Sequence, residues 1–330
     1  MAQMAGKIVV VFGGSGFVGT QAVRALARRG WRVRVAVRKP HLAGALRPVG
    51  DIGQVQLMRC DITRRADVEA ALEGADAAVN LVGLLFEGPG GRFASSHLEG
   101  ARHIAEVCRD QRIERLVQIS AIGADASAAA GYARTKGQAE AAVRAAVPGA
   151  VILRPSIIFG HGDGFLNRFA SLATMAPALP LIGGGGTRFQ PVYVGDVAEA
   201  IAGSLERPEA RGRTYELGGP SVFTFKEILQ LILREIDRRR PLLPIPFMAA
   251  RILGSFAQLT AVVGIAPQLT RDQVLMLHAD NVVSDGAPGL AALGITPTGL
   301  EAIAPTYLWR YRRGGQFAAT PRPQEDALPA

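Results

Sequence analysis

Residues 7–19, KIVVVFGGSGFVG, constrain this chain more than any other stretch. Residues 8–12 form a short run rich in β-branched apolar side chains, the pattern of a strand covered on both faces. The run breaks into Gly13, Gly14, Ser15, Gly16, Phe17, Val18 and Gly19, and a helical pattern, QAVRALARRG, follows at once. Strand, glycine turn and helix in that order make a dinucleotide site. Glycines at 13, 16 and 19 allow a tight turn, close approach of backbone to a pyrophosphate, and close packing of helix on strand. The helix N-terminus adds amide donors and the positive end of its dipole. Outside this context a glycine triplet would carry little weight.

Further strands are expected at 32–37, 55–59, 77–80 and 115–120, with helical segments at 66–74, 95–111 and 132–146. Such alternation predicts an α/β fold, a doubly wound parallel sheet of Rossmann type with right-handed crossovers and a smaller C-terminal lobe. The expected division is a dinucleotide-binding domain over 1–154, its sheet completed by parts of 187–219. A smaller mixed lobe over 155–318 and a mobile tail over 319–330 complete it.

The second strand ends in Arg38-Lys39-Pro40, where an NAD-selective fold usually places an acid for the ribose 2′-hydroxyl. An Arg-Lys pair can clamp a 2′-phosphate, so the chain is expected to take NADP(H). Asp61, at the end of the third strand, either accepts from the adenine amino group or caps the next helix. Small residues after the fourth strand would let backbone line the cofactor. Ser120 closes the fifth strand, and twelve residues later come Tyr132 and Lys136, which share one helix face. Lys136 can hold a nicotinamide ribose and lower the tyrosine's pKa by its charge. Tyr132 can then serve as general acid or base on a carbonyl that Ser120 polarises.

The formal charge is +9, and residues 1–50 hold nine Lys or Arg with no acid. Because these arginines are expected around the nucleotide site, nucleic acid is not the expected partner. A cofactor phosphate, an anionic membrane face or an acidic partner protein fits the bias better. Cys60 and Cys108 lack metal-ligand spacing and cannot make a disulfide framework, so no metal and a reducing compartment are expected. The N-terminus shows no signal-peptide pattern, and no 18-residue charge-free apolar run occurs.

In the second half, 183–186 is a glycine run expected to be a flexible turn beside the cofactor mouth. Residues 190–202 start extended and become helical, with Asp196 as a cap, and 215–217 reads as a short strand. A helix is expected over 224–236, opened by a Thr224/Glu227 capping box. Three arginines then lead into a proline-rich and apolar stretch, Arg238 to Thr270, whose residues 247–265 carry only Arg251 as a charge. It reads either as the small lobe's core helix or as a segment lying on a bilayer or a membrane subunit. Its prolines argue against a regular spanning helix. Residues 279–283 look extended and 288–293 make a turn with a short helix. The folded part ends over 300–313, where Tyr307, Trp309 and Tyr311 stand among Arg310, Arg312 and Arg313, a mixture suited to a partner surface.

Gly13, Gly16, Gly19, Asp61, Ser120, Tyr132 and Lys136 resemble the short-chain dehydrogenase/reductase superfamily in its extended or atypical branch. LRPSIIFG at 153–160, FLNRFA at 165–170, QPVYVGDV at 190–197 and TRDQV at 270–274 are similar to one family within it. That family is the NADPH-binding accessory subunit of respiratory complex I, the NADH:ubiquinone oxidoreductase, and the likeness covers roughly residues 5–315. The resemblance implies NADPH held as a structural ligand by a non-catalytic subunit. It puts Gly13, Ser15, Gly16, Phe17 and Val18 on the pyrophosphate and Arg38 and Lys39 on the 2′-phosphate. Asp61 and Ile62 would contact adenine, and Val82 and Gly83 the cofactor's middle. Tyr132 and Lys136 would meet the nicotinamide ribose, with Pro155, Ser156 and Ile157 bordering the nicotinamide. The implied partners are complex I subunits near the membrane surface, with the chain peripheral on the cytoplasmic face of a bacterial inner membrane. Because Ser120, Tyr132 and Lys136 are all present, an active NADPH-dependent reductase or epimerase-like enzyme is the alternative. Residues 121–131, AIGADASAAAG, offer that alternative no readable substrate pocket. An NADP(H)-binding regulator is a third.

Overall fold

Four of the five residues of β1 (Ile8–Phe12) divide between two cores. Val9 and Val11 pack into one apolar cluster and Val10 and Phe12 into another, as a strand covered on both faces requires. The computed structural model describes residues 6–83, 94–250 and 271–317. After β1 the strands run β2 (Arg32–Val37), β3 (Val55–Arg59), β4 (Ala77–Asn80), β5 (Arg115–Ile119) and β6 (Val151–Pro155). Four short strands follow, β7 (Ile158–Phe159), β8 (Leu179–Ile182), β9 (Arg188–Phe189) and β10 (Val192–Tyr193). The chain then returns to the main sheet as β11 (Thr214–Leu217) and finishes with β12 (Phe223–Thr224) and β13 (Leu242–Ile245). The helices are α1 (Phe17–Arg28), α2 (Arg65–Leu72), α3 (Gly100–Asp110), α4 (Gly131–Ala146), α5 (Leu166–Met175), α6 (Val194–Glu206), α7 (Phe225–Glu235), α8 (Arg271–Met276), and the single turns α9 (Leu300–Ile303) and α10 (Pro305–Leu308).

The main sheet has seven strands in the order β11-β6-β5-β4-β1-β2-β3, every pair parallel. The strand order reverses between β1 and β4, which opens a crevice at their carboxyl ends. Buried residues of α1 and α6 share one face of the sheet, and those of α2, α3 and α4 the other. A third cluster gathers Phe159, Leu166, Phe189, Phe225, Ile228, Tyr307 and Leu308 around α5 and α7. Three two-stranded pairs trim it: β7 with β10 and β8 with β13 run parallel, and β9 with β12 antiparallel.

The first four strands fall where the sequence puts them; β5 stops at Ile119, so Ser120 is the first residue past the strand end. A π-helical turn, Ala94–Glu99, precedes α3. The capping box forms: Thr224 accepts from Glu227 N, and the Glu227 carboxylate accepts from Thr224 N.

Two expectations need correction and two need sharpening. Asp196 does not cap α6; its carboxylate accepts from Thr298 N at 2.7 Å and from Thr298 Oγ1 at 3.0 Å, tying the helix to a distant loop. The glycine run is a turn with positive φ at Gly183, Gly184 and Gly185, where a Cβ on Gly183 would lie 2.2 Å from the Phe247 ring and one on Gly185 2.5 Å from Leu181. The aromatic-basic segment at 300–313 is divided, with Trp309, Arg310 and Arg313 exposed and the others turned to partners inside the fold. Tyr307 is buried and donates to Asp163 Oδ2 at 2.6 Å, Tyr311 donates to Asn167, and Arg312 donates to Glu235 O. Finally, Arg28 and Arg29 do not face the nucleotide crevice; they pair with Glu199 and Glu206 on α6.

The tail expected over 319–330 and residues 251–270 of the apolar stretch lie outside the described residues. Among the described residues no helix is long and apolar enough to cross a membrane.

Candidate functional site

The crevice is built first by the glycine turn between β1 and α1. Gly13 takes φ +77°, a conformation L side chains rarely adopt, and donates from N to Ala36 O. Gly19 is required for packing: a Cβ there would lie 2.5 Å from Gly13 O and 2.6 Å from Gly14 backbone. Gly16 differs. Its φ is −75°, and a Cβ would meet only Gly13 O at 3.4 Å, ordinary contact. Neither backbone strain nor a protein neighbour demands a glycine at 16, whereas close approach of a phosphate to the turn would. Ser15 and Phe17 flank it, and Val18 opens the helix against the core.

Arg38 and Lys39 leave β2 exposed, and neither makes an ion pair among the described residues. Arg38 does act on Asp61. Burial works to raise the Asp61 pKa, but hydrogen bonds from Thr63 N and Oγ1 and the Arg38 charge outweigh it and hold the carboxyl below its ordinary value. Those Thr63 bonds close a turn, and α2 begins later with Arg64 at its cap position, so Asp61 is not the helix cap. Ile62 is buried, its side chain filling the space over Gly100, where a Cβ would come within 2.3 Å.

At the other end of the crevice, Lys136 is buried and its Nζ donates to Ile119 O at 3.1 Å, at the peptide that leads into Ser120. Ser120 is buried too, and its Oγ has no hydrogen-bond partner among the described residues. A buried hydroxyl left without a partner is uncommon, and beside a buried ammonium it fits a ligand oxygen. Lys136 Nζ lies 6.0 Å from the centroid of the Tyr132 ring. A Cβ on Gly83 would sit 3.3 Å from Lys136 Nζ, so Gly83 borders the same space, next to half-buried Val82. Burial pushes Tyr132 up to about 12. It also pushes Lys136 down to about 8, with the Glu140 charge acting the other way. The expectation that Lys136 lowers the tyrosine's pKa is therefore not met, because desolvation of the phenol dominates.

Several residues that the sequence reading passed over support this end. Asn80 Nδ2 donates to Gln118 Oε1 at 2.9 Å, and Asn80 Oδ1 accepts from Val82 N. A lone amide in each of two apolar strands, Asn80 ending β4 and Gln118 one residue before the end of β5, is the signal that could have found them. His97 is buried with its ring edge-on to Tyr132, centroids 5.5 Å apart. The Thr135 hydroxyl donates to Gly131 O and lies 3.1 Å from His97 Nδ1. Ser156 is buried after β6, its hydroxyl 2.7 Å from Asn281 Oδ1, and Ile157 N donates to the same Oδ1, with Pro155 closing the strand. Glu140, one turn beyond Lys136, is held by Arg154 at 2.7 and 2.9 Å. The thiols have no part in the crevice chemistry; burial pushes both Cys60 and Cys108 up to about 12, with Asp67 and Asp61 adding to Cys60. Among the described residues no group of three or more His, Cys, Asp or Glu could hold a metal.

Residues 9–218 match the NAD dependent epimerase/dehydratase family. The chain is 34% identical over 328 residues to "NADH dehydrogenase (ubiquinone) 1 alpha subcomplex subunit 9, mitochondrial" of Arabidopsis thaliana, covering 97% of this chain and 82% of that one. It is 28% identical to the "NADH-ubiquinone oxidoreductase 40 kDa subunit, mitochondrial" of Neurospora crassa, over 98% and 85% of the two chains. Among solved structures it superimposes on MoeE5, determined in complex with UDP-glucose and NAD, with a TM-score of 0.68 at 18% identity. That match covers 91% of this chain and 97% of MoeE5 and speaks for the fold.

Proposed function

The chain belongs to the NAD dependent epimerase/dehydratase family, on the branch that includes alpha subcomplex subunit 9 of NADH dehydrogenase, and from that premise we propose a non-catalytic accessory subunit of respiratory complex I. It holds NADPH as a structural cofactor and stabilises or assembles the complex near the junction of peripheral arm and membrane. The observation that carries this reading is the extent of the likeness: 97% of the chain aligns, so the small lobe is shared as well as the nucleotide fold.

In this reading residues 1–154 carry the cofactor and 155–318 meet the partners. Gly13, Ser15, Gly16, Phe17, Val18 and Gly19 hold the pyrophosphate with backbone. Arg38 and Lys39, exposed at the end of β2, take the 2′-phosphate and select NADPH over NADH. Asp61 and Ile62 face adenine, Val82 and Gly83 the middle, and Ser120, Tyr132 and Lys136 the nicotinamide ribose. Pro155, Ser156 and Ile157 border the ring. Membrane-surface contact falls to the stretch 238–270, on the cytoplasmic face of a bacterial inner membrane. NADPH, when bound, would supply a transferable hydride. Burial pushes Tyr132 up to about 12, so the side chain is a neutral phenol at pH 7. A neutral phenol still hydrogen-bonds a ribose hydroxyl.

Ligand binding to the folded state alone stabilises it by about 4 kcal/mol at a thousand times Kd, so a cofactor can serve as a folding element without turnover. The test is to solubilise source membranes in mild detergent, separate complexes on a native gel and identify this chain. Comigration with NADH:ubiquinone oxidoreductase activity, with NADPH released on denaturation, is the expected result. Recovery only in the soluble fraction would overturn it. A second reading, an NADPH-dependent reductase or epimerase-like enzyme, is favoured by the partnerless Ser120 hydroxyl beside Lys136. It requires carbonyl-dependent NADPH oxidation that Tyr132→Phe abolishes.

A further inference from the structure

Residues 272–281 reach the nicotinamide end of the crevice at both of their ends. Asp272, in the first turn of α8, accepts from Gly131 N through Oδ1 at 2.7 Å and from Tyr132 N through Oδ2 at 3.0 Å. The local cap position of α4 is Ala130, which has no side-chain oxygen to offer. The first amides of the helix that carries Tyr132 and Lys136 are thus satisfied by a carboxylate from far along the chain, placed at the positive end of that helix's dipole. Nine residues later Asn281 Oδ1 accepts from Ile157 N at 3.1 Å and lies 2.7 Å from Ser156 Oγ, while its Nδ2 reaches Ile122 O at 3.5 Å. Asp272 therefore holds the start of α4, and Asn281 holds the end of β6 and the turn after β5.

Between these two ties the same segment is rooted in the small lobe. Val274 is fully buried with Ile182 and Ala250. Leu277 O accepts from Thr187 Oγ1 at 2.6 Å, and Asp280 accepts from Arg188 N and Nε, both at 2.8 Å. Its interior is anchored on the small lobe, Asp272 grips the start of α4 in the cofactor lobe, and Asn281 holds the backbone just past β6 and reaches Ile122 O across to the cofactor lobe.

We propose that residues 272–281 form a strap that couples occupancy of the NADP(H) site to the seating of the small lobe, with Asp272 and Asn281 as positioning residues. The inference rests on the cofactor reading above. A ligand that orders the first turn of α4 and the end of β6 tightens the strap, and linkage requires the strap to tighten the ligand by the same factor. A cofactor that is never turned over then has a structural use: it sets the rigidity of the lobe that meets the partner.

The test is amide hydrogen exchange on the full chain with and without 1 mM NADPH, read at the glycine turn (13–19) and at the strap (271–281). In the wild type NADPH protects both. In Asp272→Ala the turn remains protected at saturating NADPH, the strap does not, and the NADPH Kd rises about tenfold. Asp272→Asn keeps one acceptor oxygen, falls between the two, and carries the test should the alanine variant not fold. A merely structural cap would lower the melting temperature of the ligand-free chain and leave NADPH-dependent protection of the strap intact. That result, or a wild type whose turn is protected while its strap is not, overturns the proposal. A wild type with no protection at the turn overturns the cofactor reading and this inference with it, so the turn signal separates the two failures.

Discussion

The chain up to β6 and the chain beyond it are held together by different means. In the first part, consecutive strands and helices cover a parallel sheet, and the side chains that matter recur with the period of their element: Val9 and Val11 on one face, Val10 and Phe12 on the other. In the second part, single polar groups reach across large intervals of sequence. Asp163 accepts from Phe165 N, Leu166 N and the Tyr307 hydroxyl, the last 144 positions away. Asp196 takes Thr298, and Glu216 Oε2 accepts from Ser284 N. A periodic half tolerates exchange of one apolar side chain for another. A half fastened by individual carboxylates loses much more when one of them is removed.

The sharpest test inside the periodic half is a pair of glycines three positions apart. Gly19→Ala drives a Cβ into Gly13 O and Gly14 backbone, which cannot yield. The expected cost is about 3 kcal/mol or more of stability, read by chemical denaturation, with cofactor binding lost as well. Gly16→Ala has room within the protein and a compatible φ. It should melt like the wild type and yet lose most NADPH binding in a fluorescence titration. If both variants melt alike, the assignment of Gly19 to packing and Gly16 to phosphate is wrong.

In the other half, Asp163→Ala strips the acceptor from the start of α5 and from Tyr307 together, leaving a buried hydroxyl and amides unpaired. The expected cost is about 2–3 kcal/mol. Its location distinguishes it: hydrogen exchange should rise in α5 and at 300–311, while β1 to β5 keep their protection. Uniform loosening would mean that the two parts are one cooperative unit and that the contrast drawn above has no energetic content.

The same contrast explains what could be read from the sequence. Strand limits, the glycine turn, the Arg38-Lys39 pair, the Tyr132–Lys136 spacing and the Thr224/Glu227 box are local patterns, each set by residues within one turn or one strand of each other. Asp196 looked like a cap because caps are local, and its actual partner, Thr298, leaves no periodic trace. The 300–313 segment keeps Trp309, Arg310 and Arg313 at the surface, as its alternation of arginines and aromatics suggests, while Tyr307, Tyr311 and Arg312 turn to partners inside. Only the fold brings Asp163, Asn167 and Glu235 to them. The Lys136 effect on Tyr132 was misjudged for a related reason, since burial of the phenol is a property of the assembled crevice.

A milder effect is expected where the cofactor half meets solvent. Arg38→Ala with Lys39→Ala should raise the NADPH Kd roughly thirtyfold and leave the NADH Kd within twofold, because exposed cations contribute only to the ligand that carries the extra phosphate. Melting should not move, since neither side chain makes an ion pair within the described fold. An equal loss for both nucleotides would place the pair elsewhere than on the 2′-phosphate.

The smallest effect is a pH dependence with two opposite signs, and it belongs to the cofactor half alone. Lys136, pushed by burial from its ordinary 10.5 down to about 8, keeps its proton in the folded chain only below about pH 8. Between about 8 and 10.5 the unfolded chain binds a proton that the folded chain does not, so the ligand-free protein gains stability as pH rises through that window. Cofactor binding responds the other way. Ribose oxygens and phosphates favour the ammonium, so binding takes up a proton above pH 8 and affinity falls, by about fourfold between pH 7 and 8.5. Titration of NADPH binding and of melting temperature over pH 7–9.5 on the same samples reads both. Lys136→Arg, which stays charged throughout, should flatten both curves. Two curves that rise together in the wild type would mean that Lys136 does not face the ligand.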